Sequence, residues 1–85
     1  MEREEARQRI RARIAELAAE LGRRANHLGD DDIIPQSGVL DSAGILGLIV
    51  WSETEFGVPI ELDEISIDNF GSINRMLDFI ESRAR

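Results

Sequence analysis

Two stretches of this chain repeat their apolar residues at helical spacing, and that period constrains the fold more than any other feature. Ile10, Ile14, Leu17 and Leu21 recur at intervals of four, three and four. Such spacing puts them on one stripe of a helix running from Glu2 to about Arg24. The Ala, Glu and Arg between them favour helix, and Gly22 or Asn26 is placed to end it. Fewer than three heptads carry the stripe, so a core-facing helix is expected rather than a coiled coil. Near the other end, Ile73, Met76, Leu77 and Ile80 repeat three or four apart in a last helix that begins at Asn69 or Ser72.

A chain of 85 residues without cysteine has no disulfide or cysteine-held metal to stabilise it. Stability then depends on helix packing around one small core, too little to enclose a substrate in the manner of an ordinary enzyme. One domain spanning residues 1–85 is expected. No apolar run approaches a membrane span and the Arg-rich start is not a secretory signal, so a cytoplasmic monomer without membrane insertion is expected.

Charge divides the sequence. Seven of the ten arginines precede Ala25, whereas residues 25–74 carry ten Asp or Glu and no Lys or Arg, within a net charge of -7. Such a region repels nucleic acid and attracts basic protein surfaces. The arginines on the other face of the first helix read as solvated, with a basic patch for a partner as the alternative.

Between Asn26 and Asp41, Gly29, Pro35 and Gly38 mark a loop, in which Ile33, Ile34, Val39 and Leu40 suggest attachment to the core. The Asp30-Asp31-Asp32 triplet lacks the alternating ligands and closing glutamate of a calcium loop, and no metal site is assigned. The next helix runs from Ser42 to Phe56, with Ser42 as a candidate N-cap. Ile45, Leu48, Ile49, Ser52 and Phe56 share one face; Ala43, Leu46, Gly47 and Val50 form an adjoining one. This apolar sector is wider than one core contact needs, so part of it is expected to stay exposed and dock partners. Gly44 and Gly47 each cost about 1 kcal/mol of helix stability relative to alanine, which suits a close approach by another group. Gly57 and Pro59 stop the helix, and Ile60, Leu62, Ile65 and Ile67 are expected to reach the core from a short helical turn or irregular loop.

The residues Asp32-Ile33-Ile34, Gly38, Leu40-Asp41-Ser42, Leu46, Leu48-Ile49 and Glu53-Thr54-Glu55-Phe56-Gly57-Val58-Pro59-Ile60 together resemble the acyl and peptidyl carrier proteins. The resemblance covers about the last two thirds of the chain. It implies an all-α fold, a small four-helix bundle of three main helices plus one short helix. It also implies that Ser42 receives 4′-phosphopantetheine from coenzyme A, with Asp41 engaging the phosphopantetheinyl transferase. The protein itself would not be an enzyme: the transferase supplies base and Mg2+, and the only histidine, His27, lies at the start of the loop. Leu40, Ala43, Leu46, Gly47 and Val50 would meet partner proteins. Ala43, Gly44 and Gly47 stand where fatty-acid carriers have leucine and acidic residues. Asp41-Ser42-Ala43-Gly44 and Ile67-Asp68-Asn69-Phe70-Gly71-Ser72-Ile73-Asn74 look more like D-alanyl carrier proteins, which implies an AMP-forming acyl or aminoacyl ligase and a downstream acyl-accepting enzyme as partners. Ser52 stands where the family commonly has leucine, so either Trp51 takes over that packing or the helix is rotated. The alternative is an unmodified helical adaptor that docks a protein through the apolar face of its second helix.

Overall fold

The computed structural model describes residues 1–83 and is all-helical over them. Three long helices, α1 (Arg3–Glu20), α3 (Ser42–Phe56) and α5 (Ile73–Arg83), carry the bundle. The connections hold two four-residue helices, α2 (Ile34–Ser37) and α4 (Ile67–Phe70), and a 3-10 turn at Leu62–Glu64. Helix α1 packs on both α3 and α5, α2 packs on α3, and α4 leads into α5.

The end of α1 follows from Gly22. At φ 70° this glycine adopts the left-handed conformation open to a residue without a side chain. The Arg23 N–H then reaches the Ala18 carbonyl at 2.8 Å, and the Gly22 N–H reaches Ala19 at 3.0 Å. These two bonds satisfy carbonyls that the terminating helix leaves free. The buried stripe of α1 is Ala6, Ile10, Ile14 and Ala18. Ile10 and Ile14 lie in it as expected and half-buried Leu17 packs against the core beside it, whereas Leu21, past the last helical turn, is 39 % exposed and drops out. Small alanines at both ends of the stripe let α1 approach its neighbours closely, which a count of large apolar residues misses.

The loop after α1 is attached to the core as expected, and it contains the extra helix α2. Ile34, Val39 and Leu40 are buried, and the Ile34 N–H donates to the Gly71 carbonyl at 2.7 Å. The aspartate triplet is used one residue at a time. Asp30 takes Arg11 at 2.5 Å and Arg7 at 3.1 Å, fastening the loop to α1. Asp31 accepts from the Asn74 side chain at 2.8 Å, and Asp32 accepts the Gly29 N–H at 2.7 Å. Arg7 and Arg11 therefore belong to an internal latch and not to a solvated face.

Ser72 begins α5, its hydroxyl accepting the Arg75 N–H at 3.1 Å. Phe70 and Phe79 meet with ring centroids 4.8 Å apart beneath it. Ile60 and Ile65 pack against the core. Leu62 and Ile67 do not supply the core contacts expected of them, being 85 % and 53 % exposed. Among the described residues, no helix is long and apolar enough to cross a membrane.

Candidate functional site

Everything upstream of Ser42 is held. Gly38 ends α2 at φ 78°, a turn that favours glycine. The Ser37 hydroxyl donates to the Ile34 carbonyl at 2.6 Å and accepts the Val39 N–H at 3.3 Å. Arg23 reaches across from the end of α1 to donate to the Gly38 carbonyl at 3.1 Å. With Val39 and Leu40 buried next in sequence, the chain reaches Asp41 on a fixed path.

Asp41, and not Ser42, is the N-cap of α3. Its backbone is extended (φ -88°, ψ 178°) and its carboxylate accepts the Gly44 N–H at 2.7 Å. The Asp41 carbonyl takes the first helical bond, from Ile45 N–H at 2.9 Å. Ser42 is the first residue of the helix, exposed, and its hydroxyl makes no hydrogen bond among the described residues. The capping duty expected of the serine thus falls to its neighbour, which leaves the Ser42 oxygen unengaged at the positive end of a 15-residue helix. His27 is exposed and no hydrogen bond joins it to Ser42.

The adjoining face of α3 points outward. Leu46 is 51 % and Val50 56 % exposed, with Ala43 exposed and Gly47 half-buried beside them. No charged residue interrupts the helix from Ser42 to Ser52. Leu40 departs from the expected set: it is buried, close under Gly44, where a β-carbon would lie 3.4 Å from the Leu40 Cβ. It supports the first turn of α3 from below.

The two glycines differ. A side chain on Gly44 would crowd the Asp41 carboxylate at 3.1 Å, so this position is small for internal reasons. A β-carbon on Gly47 meets nothing within 4 Å.

The inward face of α3 carries Leu48, Ile49 and Ser52. Ser52 is buried with its hydroxyl donating to the Ile49 carbonyl at 2.7 Å. Trp51 is half-buried and meets the Phe56 ring edge-on at 5.7 Å.

One feature of the site is absent from any sequence period. Ile45 and Ile49, one and two turns beyond Ser42, face Pro35, Ile65, Ile67 and Phe70 across an apolar cleft of about 210 Å³. This is below the roughly 300–1,000 Å³ of ordinary small-molecule sites. No protein-family model and no curated protein matches the chain.

Proposed function

We propose that this protein is a carrier for an acyl or aminoacyl group, held as a thioester on a 4′-phosphopantetheine arm attached to Ser42. The observation that carries the reading is the unengaged, exposed Ser42 hydroxyl at the start of α3, with Asp41 capping in its place. The arm's thiol, when present, supplies the nucleophile that a chain without cysteine lacks. The residues present fit its attachment. An exposed oxygen is open to another enzyme's active site, and the N-terminal end of a helix favours the phosphodiester's negative charge.

The chain contributes position, not catalysis. A free serine hydroxyl is a weak nucleophile without an adjacent base. The transferase therefore takes the Ser42 proton, and the Ser42 oxygen forms the new bond to phosphorus as the nucleotide portion of coenzyme A leaves. The uncharged face of Ala43, Leu46, Gly47 and Val50 lies next to the attachment point, placing partner contact beside the cargo. Tethering raises the cargo's effective concentration at each partner. A ligase that forms an acyl-adenylate and an acyl-accepting enzyme are the partners this implies, in the cytoplasm and acting on a monomer.

The test is incubation of the purified chain with coenzyme A, Mg2+ and a broad-specificity phosphopantetheinyl transferase, followed by intact mass. The expected result is one phosphopantetheine on the wild type and none on Ser42→Ala. No addition with several transferases would sink the proposal. The exposure of Leu46 and Val50 would then favour an unmodified adaptor that binds a protein through α3.

A further inference from the structure

Along one flank of α1, a groove of about 600 Å³ opens between the helix and the segment 23–28. Its wall is the exposed alanine edge of α1, Ala12, Ala15 and Ala19, and its floor includes the buried Leu28 and Ile73. Arg11, Arg23 and Arg24 also line it, and no acidic residue does. In a chain of net charge -7, this is a cationic site with an apolar bed.

The three arginines are not equally available. Arg11 is spent on Asp30 and the Leu28 carbonyl. Arg23 gives one N–H to the Gly38 carbonyl and has four of its five donors left. Arg24 is exposed and pairs with no carboxylate among the described residues. The free positive charge therefore gathers at the Arg23–Arg24 end, beyond Ala19, while the apolar bed extends toward Ala12.

We propose that this groove binds an apolar-bodied carboxylate, its anionic head on Arg23 and Arg24 and its body along Ala12, Ala15 and Ala19. The 600 Å³ of the groove lies within the range of small-ligand sites, and its free arginines sit at one end of the apolar bed, an arrangement that suits one anionic head on an apolar body. A charge-assisted bond from a guanidinium to a carboxylate supplies orientation, and apolar contact supplies the rest. The groove does not include Ser42, and the proposal does not rest on the carrier reading; Arg23 alone is shared with the segment that leads to Ser42.

Sodium decanoate is the probe, titrated into the full-length protein while backbone amide resonances are followed. The expected result is saturable shifts confined to residues 12–28 and Ile73. Arg23→Glu with Arg24→Glu is expected to weaken binding about tenfold or more, and Ala15→Phe to block it by filling the groove. Arg24 and Ala15 are exposed, and Arg23→Glu gives up only the bond to the Gly38 carbonyl, so circular dichroism should show an unchanged helix content; Arg24→Glu alone, which leaves that bond in place, should also weaken binding, and Ser42→Ala should bind as the wild type does. Absence of saturable shifts would overturn the proposal. So would shifts centred on Leu46 and Val50, equal binding of decyltrimethylammonium, or binding of an acidic helical peptide in the groove where decanoate fails.

Discussion

Asp41 and Gly44 close the start of α3 on each other. The Asp41 carboxylate accepts the Gly44 N–H at 2.7 Å, and a β-carbon at position 44 would stand 3.1 Å from that same oxygen. Cap and glycine therefore form one unit beside Ser42. Asp41→Ala is expected to cost about 1 kcal/mol in urea unfolding, the usual loss for an N-cap. Asp41→Asn keeps a capping oxygen and should stay within a few tenths of the wild type. The asparagine variant thus separates folding from recognition. Under the carrier reading it folds normally but is modified more slowly; an unchanged modification rate would remove the Asp41 charge from transferase recognition.

Gly47 has no such internal duty. With open space where its β-carbon would lie, Gly47→Ala should stabilise the protein by about 0.8–1 kcal/mol, the helix-propensity difference. Gly44→Ala should gain nothing, because the added methyl crowds Asp41 and Leu40. Thermal unfolding of the two variants side by side checks the contrast. If a partner approaches α3 closely, the stabilised Gly47→Ala protein will also be loaded more slowly by its ligase.

The latch from α1 to the loop makes a second pair of unequal substitutions. Arg11 gives Asp30 a bond at 2.5 Å and also donates to the Leu28 carbonyl at 2.8 Å. Arg7 approaches the same carboxylate at 3.1 Å, yet its Nε finds no well-directed hydrogen bond. Proximity brings both charges to Asp30, but only Arg11 also makes hydrogen bonds to the loop, so Arg11 is the arginine that holds it. Arg11→Ala should cost more than Arg7→Ala. These side chains are about a third exposed, so the Arg11–Asp30 coupling should be only about 1 kcal/mol in a double-mutant cycle. A larger effect of Arg7→Ala would reverse the assignment.

What could be read from the sequence follows from how far apart the interacting residues lie. The bounds of α3, from Ser42 to Phe56, were readable because turn residues flank an apolar run on both sides. The start of α5 was readable to a choice of two local caps, Asn69 or Ser72, and the bond from the Arg75 N–H to the Ser72 hydroxyl decides between them. The ends of the α1 stripe were misread because alanine at 6 and 18 carries little hydrophobic weight in a pattern yet fits a close helix contact. Helix α2 is one turn long and leaves no period to detect. The latch joins Asp30 to residues 19 and 23 positions earlier, and nothing local signals it. At the site itself, adjacent Asp41 and Ser42 are both good caps, and only the backbone geometry assigns the duty to the aspartate.

The two faces of α3 should separate stability from partner contact. Leu48 is 1 % exposed, and Leu48→Ala is expected to cost about 2–5 kcal/mol by leaving a cavity among the long helices. Leu46 is 51 % exposed, and Leu46→Glu should change stability by less than about 0.5 kcal/mol. The same glutamate puts a charge into a helix face that has none from Ser42 to Ser52. A partner that covers Leu46 would have to bury that carboxylate without a counter-ion, at a cost of several kcal/mol. Under the carrier reading, loading of a phosphopantetheinylated Leu46→Glu protein by an acyl-adenylate-forming ligase should therefore fall by an order of magnitude or more, with unfolding unchanged. Wild-type loading by such a variant would show that partners approach Ser42 from another side of the bundle.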